Sequence, residues 1–564
     1  MDALKSSVAG ALLSDQKRAP FTHRAFDSFL GYWHESGDRE IRRRTIFLIC
    51  LATLCGATVL TGAVPTRIYG HDIFFLLGNG WRIVNGLRPH VDFYSPWGPV
   101  TFLITGLGLK LSHNTVNGVG YGTAIFGLVT GLWSYALAKR RMESSPRIIA
   151  SLFLTALVLA PYPLGVSPVN SSHAMVYNRY GYALLGLVML EAFQLVRGVN
   201  WKWSEWGGGI SSGAATALAL FLKASYFLVA IALLTASVVL WRRSRERLLG
   251  LVLGFVLVAV PVMLYLSFDV SAIYRDLQMA AAARSNHLFL DMLAWEFLIF
   301  SGYLLVLVVL AHLDSRDSRA SHPARIDLRV LFLAVMTYVA DLVVRFTNAQ
   351  GGASPLAAVF ALIVMNQITS RHRVLSPTAL TWRASYARVL SIGALLLLPQ
   401  LVPDVFGIAY GAFRKARPGK LASLVRFTEA PASALLLYDG QPPERSNGSV
   451  YTTYVNEGVA LLRRVSAPHE TVLTMDMADP FAYLLGRKPA SGGMAAAGFN
   501  YVISDLHHPS DDAYFGNADV VMVPKRPAID DQFYAGFYKL YEPGLQARYR
   551  LAAETDWWLL YRRR

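Results

Sequence analysis

Cysteine is almost missing from this chain: 564 residues contain two, Cys50 and Cys55, both inside the first apolar run. That excludes a disulfide framework, and the pair lacks the spacing of a metal site. Charge is also sparse. Asp, Glu, Lys and Arg make up 16% of the residues, against about 25% in soluble domains. Hydrophobic residues reach 54% and mean hydropathy is +0.37, so the bulk of the chain is not a soluble globule. No internal repeat or low-complexity tract is evident. No basic stretch interleaves aromatics as a nucleic-acid reader would need, so the net charge of +16 is not read as a nucleic-acid footprint. A signal peptide is absent too. Residues 1–44 are polar and basic, ending in Arg39, Arg42, Arg43 and Arg44, where a signal peptide would place a short apolar core much earlier. They read as a cytoplasmic arm with one weakly amphipathic stretch, "FDSFLGYW".

What is present is a series of apolar runs, many approaching the roughly 20 residues that cross a bilayer. The candidates are 45–64, 98–113, 117–137, 147–163, 177–197, 209–222, 225–241, 248–268, 291–312, 329–347, 353–369 and 389–412. Basic clusters at 138–147, 241–247, 314–329 and 370–373 mark cytoplasmic loops by the positive-inside rule, so loops 65–97, 164–176, 269–290 and 346–353 face outward. Twelve full spans from a cytoplasmic start would leave the C-terminus inside. The stretch 98–113 is short and follows Pro96 and Pro99; if it is re-entrant, eleven spans remain and the C-terminus is outside, although "RKARPGK" at 414–420 runs against that. From about 414 the composition changes. "SVYTTYVNEGVALLRRV" reads as a helix, "ETVLTMD" as a strand, "DPFAYLLG" as a short helix, and "ADVVMVP" and "WWLLYRR" as strands. The expected fold class is therefore mainly α: a polytopic transmembrane bundle of about 11–12 spans over 45–412, then a soluble α/β domain over 414–564.

The segment after the first run, "YGHDIFFLLGNGWRIVNGLRPHVDFYSPWGPV" at 69–100, carries most of the chemistry. Asp72 sits just past the span end, where a carboxylate is costly unless solvated or used. It is either a solvated helix-end acid, a partner for Arg67 or Arg82, or a general base for an acceptor hydroxyl. "DIFFLLGNGWRIVNG" forms an amphipathic surface helix. "LRPHVDFYSPWGP" is a turn-rich return with Asp92, Tyr94 and Trp97 near the headgroups, and Arg82, Arg88 and His90 in reach of a phosphate.

A first span, an Asp in a long first outward loop, then "RPHVDFYSPWGP" leading into the next apolar stretch resembles the GT-C glycosyltransferases. The similar members are bacterial relatives of protein O-mannosyltransferases and aminoarabinose transferases. The resemblance covers roughly 45–412 and rests on Asp72, the Gly86/Pro89 turn, Asp92 and Pro96/Pro99 in order. It implies transfer of a sugar from a polyprenyl-phosphate carrier, with inversion, at the outer face of a bacterial inner membrane, with Asp72 as the catalytic carboxylate. Two departures stand out. The usual acid beside that Asp is Ile73, with His71 on its other side, and the usual Lys before paired prolines is absent from "SPWGP".

Other positions are expected on the same outward face. Tyr177, Asn178 and Arg179 open the 177–197 span, where a guanidinium would hold a phosphate bidentately or simply snorkel. Lys223 tops the hairpin of 209–222 and 225–241. The loop 269–290 brings Tyr274, Arg275, Arg284 and His287. Arg345 is a further phosphate candidate, or an i,i+4 partner of Asp341. "DMAD" at 476–479 reads as a strand end and helix cap, and "DLHHPSDD" at 505–512 as a polar loop. Asp72 and Asp92 would share a divalent ion only if the loop folded back, and without a tight Asp-X-Asp no metal or other cofactor is expected. The expected partners are a polyprenyl-phosphate-linked sugar, the bilayer and a glycan, lipid or protein acceptor. The alternatives are a transporter or flippase, which would need mid-membrane ionisable residues and repeated broken helices, and a polysaccharide polymerase or ligase using a diphosphate-linked donor.

Overall fold

The computed structural model describes residues 38–193, 201–241, 244–283, 287–317, 328–348, 352–372, 380–418, 423–439, 446–528 and 531–564. Most of the expected cytoplasmic arm, with "FDSFLGYW", and Arg284 lie outside the described residues, as does the side chain of His287. The chain forms two compact units, Met1–Cys50 and Leu51–Arg564. In the first, the described residues begin helix α1 (Asp38–Thr61). The other elements belong to the second.

Every apolar run of the sequence is helical. After α1 come α2 (Asp72–Val84), α3 (Val100–Leu111), α4 (Gly118–Ala138), α5 (Ser144–Leu159), α6 (Val176–Ala192) and α7 (Trp201–Leu220). Then follow α8 (Ala224–Trp241), α9 (Arg245–Tyr265), α10 (Val270–Ala283), α11 (His287–Asp317), α12 (Leu328–Thr347), α13 (Pro355–His372) and α14 (Leu380–Ala416). Among the described residues, five helical stretches are long and apolar enough to cross a membrane: Glu40–Thr61, Arg245–Tyr265, Ala294–Leu313, Leu328–Thr347 and Val389–Ala416. Local signals set the boundaries. Ser244 accepts from the Arg247 amide and caps α9. Among the helices of this part, α2 and α10 are amphipathic rather than uniformly apolar; α2 is the amphipathic helix expected in the first loop, and α10 fills most of the loop 269–290.

The two ends of α6 differ in charge. Its first turn holds Tyr177, Asn178 and Arg179. At its last turn Glu191 receives Arg247 at 2.6 Å and Arg141 at 3.3 Å, and Ser212 at 2.7 Å. Asn366 of α13 ties the same region by donating to the Arg141 carbonyl and accepting from the Glu143 amide. Residues of two of the four basic clusters, Arg141 and Arg247, therefore meet at one end of α6, about 25 Å from its other end at 1.5 Å per residue.

The C-terminal part has a two-stranded antiparallel ribbon, β1 (Leu424–Arg426) with β2 (Leu436–Tyr438), and helix α15 (Gly448–Val465). A four-stranded sheet follows, of β3 (Val472–Thr474), β4 (Val520–Pro524), β5 (Tyr549–Glu554) and β6 (Trp558–Arg563) in the order β3-β4-β6-β5. The pair β3–β4 is parallel and the others antiparallel. Short helices α16 (Phe481–Leu484) and α17 (Asp511–Phe515) lie in the long crossover from β3 to β4, and α18 (Asp531–Arg548) joins β4 to β5. The expected helix 449–465, the strands near 470–476, 519–524 and 557–563, and the short helix near 480 are all present. The ribbon, α17, α18 and β5 are additional, and α17 begins inside the stretch 505–512 expected as a polar loop.

Candidate active site

The first loop is built into the C-terminal part. Thr66 donates to the Leu436 carbonyl and accepts from the Tyr438 amide, extending the ribbon. At Gly70 a Cβ would come within 2.6 Å of Asn447 Oδ1 and 2.9 Å of the Ser446 carbonyl oxygen, so glycine is needed for that approach. The His71 amide then donates to the Ser446 carbonyl at 3.1 Å. Helix α2 starts here, with Asp72 in its first turn, where an acid complements the helix dipole. Three side chains on α2 dock it. Asn79 donates to the Ala495 carbonyl at 2.8 Å, Trp81 to Arg487 at 2.8 Å and Arg82 to Gly492 at 2.9 Å.

The return segment is fixed from both sides. The Tyr94 amide donates to Gly493, and Ala495 donates back to the Tyr94 carbonyl. Buried Asp276 of α10 pairs with His90 at 3.1 Å and accepts from the Ser95 amide at 3.0 Å. A Cβ on Gly98 would stand 2.1 Å from the Phe221 carbonyl oxygen at the α7–α8 turn, so the return can seat there only with glycine.

Between these pieces lies a cavity of about 420 Å³. The first loop supplies Tyr69, His71, Asp72, Phe75 and Trp97, and the entry to α6 supplies Met175 and Tyr177. The β3–β4 crossover supplies Asp476, Met477, Ala496–Gly498, Tyr501 and Val502; Pro527, Tyr534 and Phe537 complete the wall. Asp476 follows β3 and Pro527 follows β4, so the cavity opens off the carboxyl ends of the parallel pair, the common ligand position in such sheets. Tyr69 and Met175 both have a φ of 54°, a conformation that non-glycine residues adopt rarely and that clusters at functional sites.

Three ionisable groups meet on this surface. His71 Nε2 lies 3.2 Å from Asp72 Oδ1, and His71 Nδ1 is buried with no hydrogen-bond partner among the described residues. Burial disfavours a charged ring, but Asp72 and, more weakly, Asp476 outweigh it, and the His71 pKa is raised. Asp476 is buried, which raises its pKa although Tyr454 and the Met477 amide donate to it.

The other candidates fall in distinct places. Tyr177 lines the cavity, and behind its ring stands Lys223, with Nζ 5.4 Å from the ring centroid. Lys223 donates to the Thr347 carbonyl at 3.1 Å and to Asn348 Oδ1 at 2.7 Å, at the end of α12. One turn earlier on α12, Arg345 is 3% exposed and has none of its three guanidinium nitrogens hydrogen-bonded among the described residues. Its guanidinium carbon lies 3.5 Å from the Phe300 ring centroid. Asn178 accepts from Tyr226 at 3.0 Å. None of Arg82, Arg88, Arg179, Lys223 and Arg345 lines the cavity. Arg82 pairs with Asp479 at 3.8 Å, Arg88 with Asp92 at 3.0 Å and Arg179 with Asp404 at 2.8 Å. Asp92 and Tyr94 line a second cavity with His90 and Arg275, so Asp92 and Asp72 face different spaces. Asp476, in "DMAD", is the ionisable group that sequence reasoning missed. It does end a strand, as expected, but only the tertiary fold turns that strand end toward Asp72.

No family model matches the chain, and no curated protein matches it. Among solved structures it is similar to ArnT from Cupriavidus metallidurans in the apo state, at 13% identity over 92% of this chain and 98% of that one, with a TM-score of 0.46. It is also similar to the same protein bound to undecaprenyl phosphate, at 12% identity over 93% and 98%, TM-score 0.43. A third is the arabinofuranosyltransferase AftD from Mycobacteria, at 13% identity over 92% of this chain and 40% of that one, TM-score 0.39. At that level of likeness no role passes from those proteins to any residue here.

Proposed function

We propose that this chain is an integral membrane glycosyltransferase of the GT-C kind. It moves a sugar from a polyprenyl-phosphate donor to an acceptor hydroxyl on the outer face of a bacterial inner membrane, with Asp72 as general base. The observation that carries the reading is the cavity where an acid at the start of a surface helix meets an aromatic wall, with Lys223 behind that wall. Tyr69, Trp97, Tyr177 and Tyr501 offer flat faces to a sugar ring or isoprenoid, as apolar pockets with few polar groups do.

In this mechanism the acceptor oxygen attacks the anomeric carbon as Asp72 removes its proton. The bond from that carbon to the phosphate oxygen breaks, and the electron pair leaves with the lipid phosphate. One displacement inverts the anomeric centre. Lys223, from the α7–α8 turn with its ammonium at the C-terminal end of α12, and Arg345, within that end of α12, offset the growing phosphate charge, a term that is often the largest in such reactions. Arg345 is suited to it because its nitrogens have no hydrogen-bond partner among the described residues. Arg82, Arg88 and Arg179 position the scaffold instead.

The charge of the helical ends supports the orientation. Basic clusters gather at the end of α6 remote from the cavity, and such clusters favour the cytoplasmic side. The cavity end and the C-terminal sheet packed on it then face the periplasm.

The test compares glycolipids and surface glycans from cells carrying the native chain or Asp72→Asn. Transfer of one sugar residue should fall by about 10²- to 10⁴-fold, the usual worth of a general base, while purified Asp72→Asn still binds undecaprenyl phosphate. A flippase, or a polymerase using a diphosphate donor, would tolerate the change, so undiminished transfer refutes the reading.

A further inference from the structure

We propose that the proton taken up by Asp72 passes to His71, and that Asp476, carried by the C-terminal sheet, makes His71 able to receive it. This rests on the general-base reading above and adds two residues to it.

Geometry supplies the path. His71 Nε2 is 3.2 Å from Asp72 Oδ1, within reach of a proton handed from one to the other. His71 Nδ1 makes no hydrogen bond among the described residues, and the charged ring is stabilised first by Asp72, with smaller contributions from Asp476 and the Ser446 backbone. Asp476 acts through space and lines the same cavity. The groups facing His71 are Tyr69 and Asp72 from its own segment, Tyr451 from α15, Asp476 after β3 and Tyr534 from α18. None of these is a cation. Burial alone would make a charged imidazole costly, and the two carboxylates reverse that preference.

The step balances. The acceptor O–H proton goes to an Asp72 oxygen as the new bond to the anomeric carbon forms and the phosphate leaves. It moves from Asp72 Oδ1 to the lone pair of His71 Nε2, which restores the carboxylate and leaves an imidazolium. The imidazolium releases its proton to water once the product has left the cavity. His71 must therefore begin each cycle neutral, and the rate should rise with pH through the His71 pKa. Asp476 is a positioning residue that acts through His71.

The experiment follows transfer against pH with the full-length chain in native membranes, using the product defined by the Asp72 comparison. Undecaprenyl phosphate binding by each purified variant checks that the site is intact. The native chain should show an acid limb above the ordinary histidine value of 6.5. His71→Gln should lose that limb and about 10- to 100-fold of the rate, a part of what proton transfer contributes. Asp476→Asn should move the limb to lower pH, and Asp476→Glu should restore it. If His71→Gln and Asp476→Asn keep the native rate and limb while Asp72→Asn is inactive, the relay is overturned and the general base survives. If Asp72→Asn is active, the general-base reading itself fails. Should a variant lose lipid binding through misfolding, the native profile decides, because a limb below 6.5, or none, overturns the relay.

Discussion

Arg82 and Arg345 are both almost wholly buried, at 2% and 3% exposure, yet their surroundings assign them opposite work. Arg82 ends on Asp479, the Gly492 carbonyl and the Phe93 ring, so it fastens α2 to the C-terminal part. Arg82→Leu would leave Asp479 buried without its cation, a change that costs about 3 kcal/mol. A lowered thermal midpoint with undecaprenyl phosphate affinity little changed is the expected result. Arg345 has a ring beside it and no hydrogen-bond acceptor among the described residues. Arg345→Met should weaken undecaprenyl phosphate binding by about 10- to 100-fold, given roughly 1.5–3 kcal/mol for a hydrogen bond to a charged group, and should not lower the midpoint. Equal affinity in a titration would remove Arg345 from the phosphate site. The sequence exposed every one of these cations but not their partners. Arg88 pairs with Asp92 four residues on, in the turn after α2, instead of reaching for a phosphate as expected, whereas Arg179–Asp404 and Arg82–Asp479 join residues hundreds of positions apart. Local spacing finds only part of the surroundings of Asp341, which feels Arg345 one turn on but also accepts from Ser354 and the Ala357 amide of the next helix.

At the scale of elements, all the apolar helices were readable because burial in lipid or in a bundle demands long uninterrupted apolar runs. The surface helix α2 was readable from its amphipathic pattern. Strand β5 was not, because five of its six residues are exposed or half-exposed in succession, Arg550–Glu554, and an edge strand with little apolar alternation carries no period-2 signal. Helix α18 hid for a related reason: its composition is only weakly apolar, and Pro543 lies inside it. The return from α2 to α3 is the element on which the cavity most depends. Gly98 lets it rest on the α7–α8 turn while Trp97 faces the cavity. Gly98→Ala forces backbone apart, and overpacking of this kind costs about 1–3 kcal/mol. Its transfer rate should fall although Asp72 is untouched, and faster proteolysis of the 85–99 segment should accompany the loss. Native rate and native protection together would show that the seat is not needed.

Over the whole molecule, membrane character was plain from composition, the basic clusters gave only an expected orientation, and the site was half visible. Asp72, His71, Tyr69, Phe75 and Trp97 lie in one 32-residue segment, 69–100. The opposing wall comes from the C-terminal sheet, and contacts such as Asn79 to Ala495 bridge 416 positions. Sequence periodicity carries no information about which face of a distant domain closes a cavity, so Asp476 could be read only as a strand end. The orientation has its own check. Leu506 is 87% exposed beside the C-terminal sheet, so Leu506→Cys should react with a membrane-impermeant maleimide added to intact outer-membrane-permeabilised cells. Lys139→Cys, at the basic end, should stay unlabelled until the inner membrane is opened; the reverse pattern would place the cavity in the cytoplasm. The central claim is that the cavity of Asp72 receives a lipid phosphate gripped from the end of α12. A structure of the full-length chain with undecaprenyl phosphate tests it most directly. The account predicts phosphate oxygens within hydrogen-bond distance of Lys223 or Arg345, with the phosphate opening onto the space lined by Asp72 and Tyr177. Lipid phosphate bound at the basic end of α6, with the Asp72 cavity untouched, would contradict it.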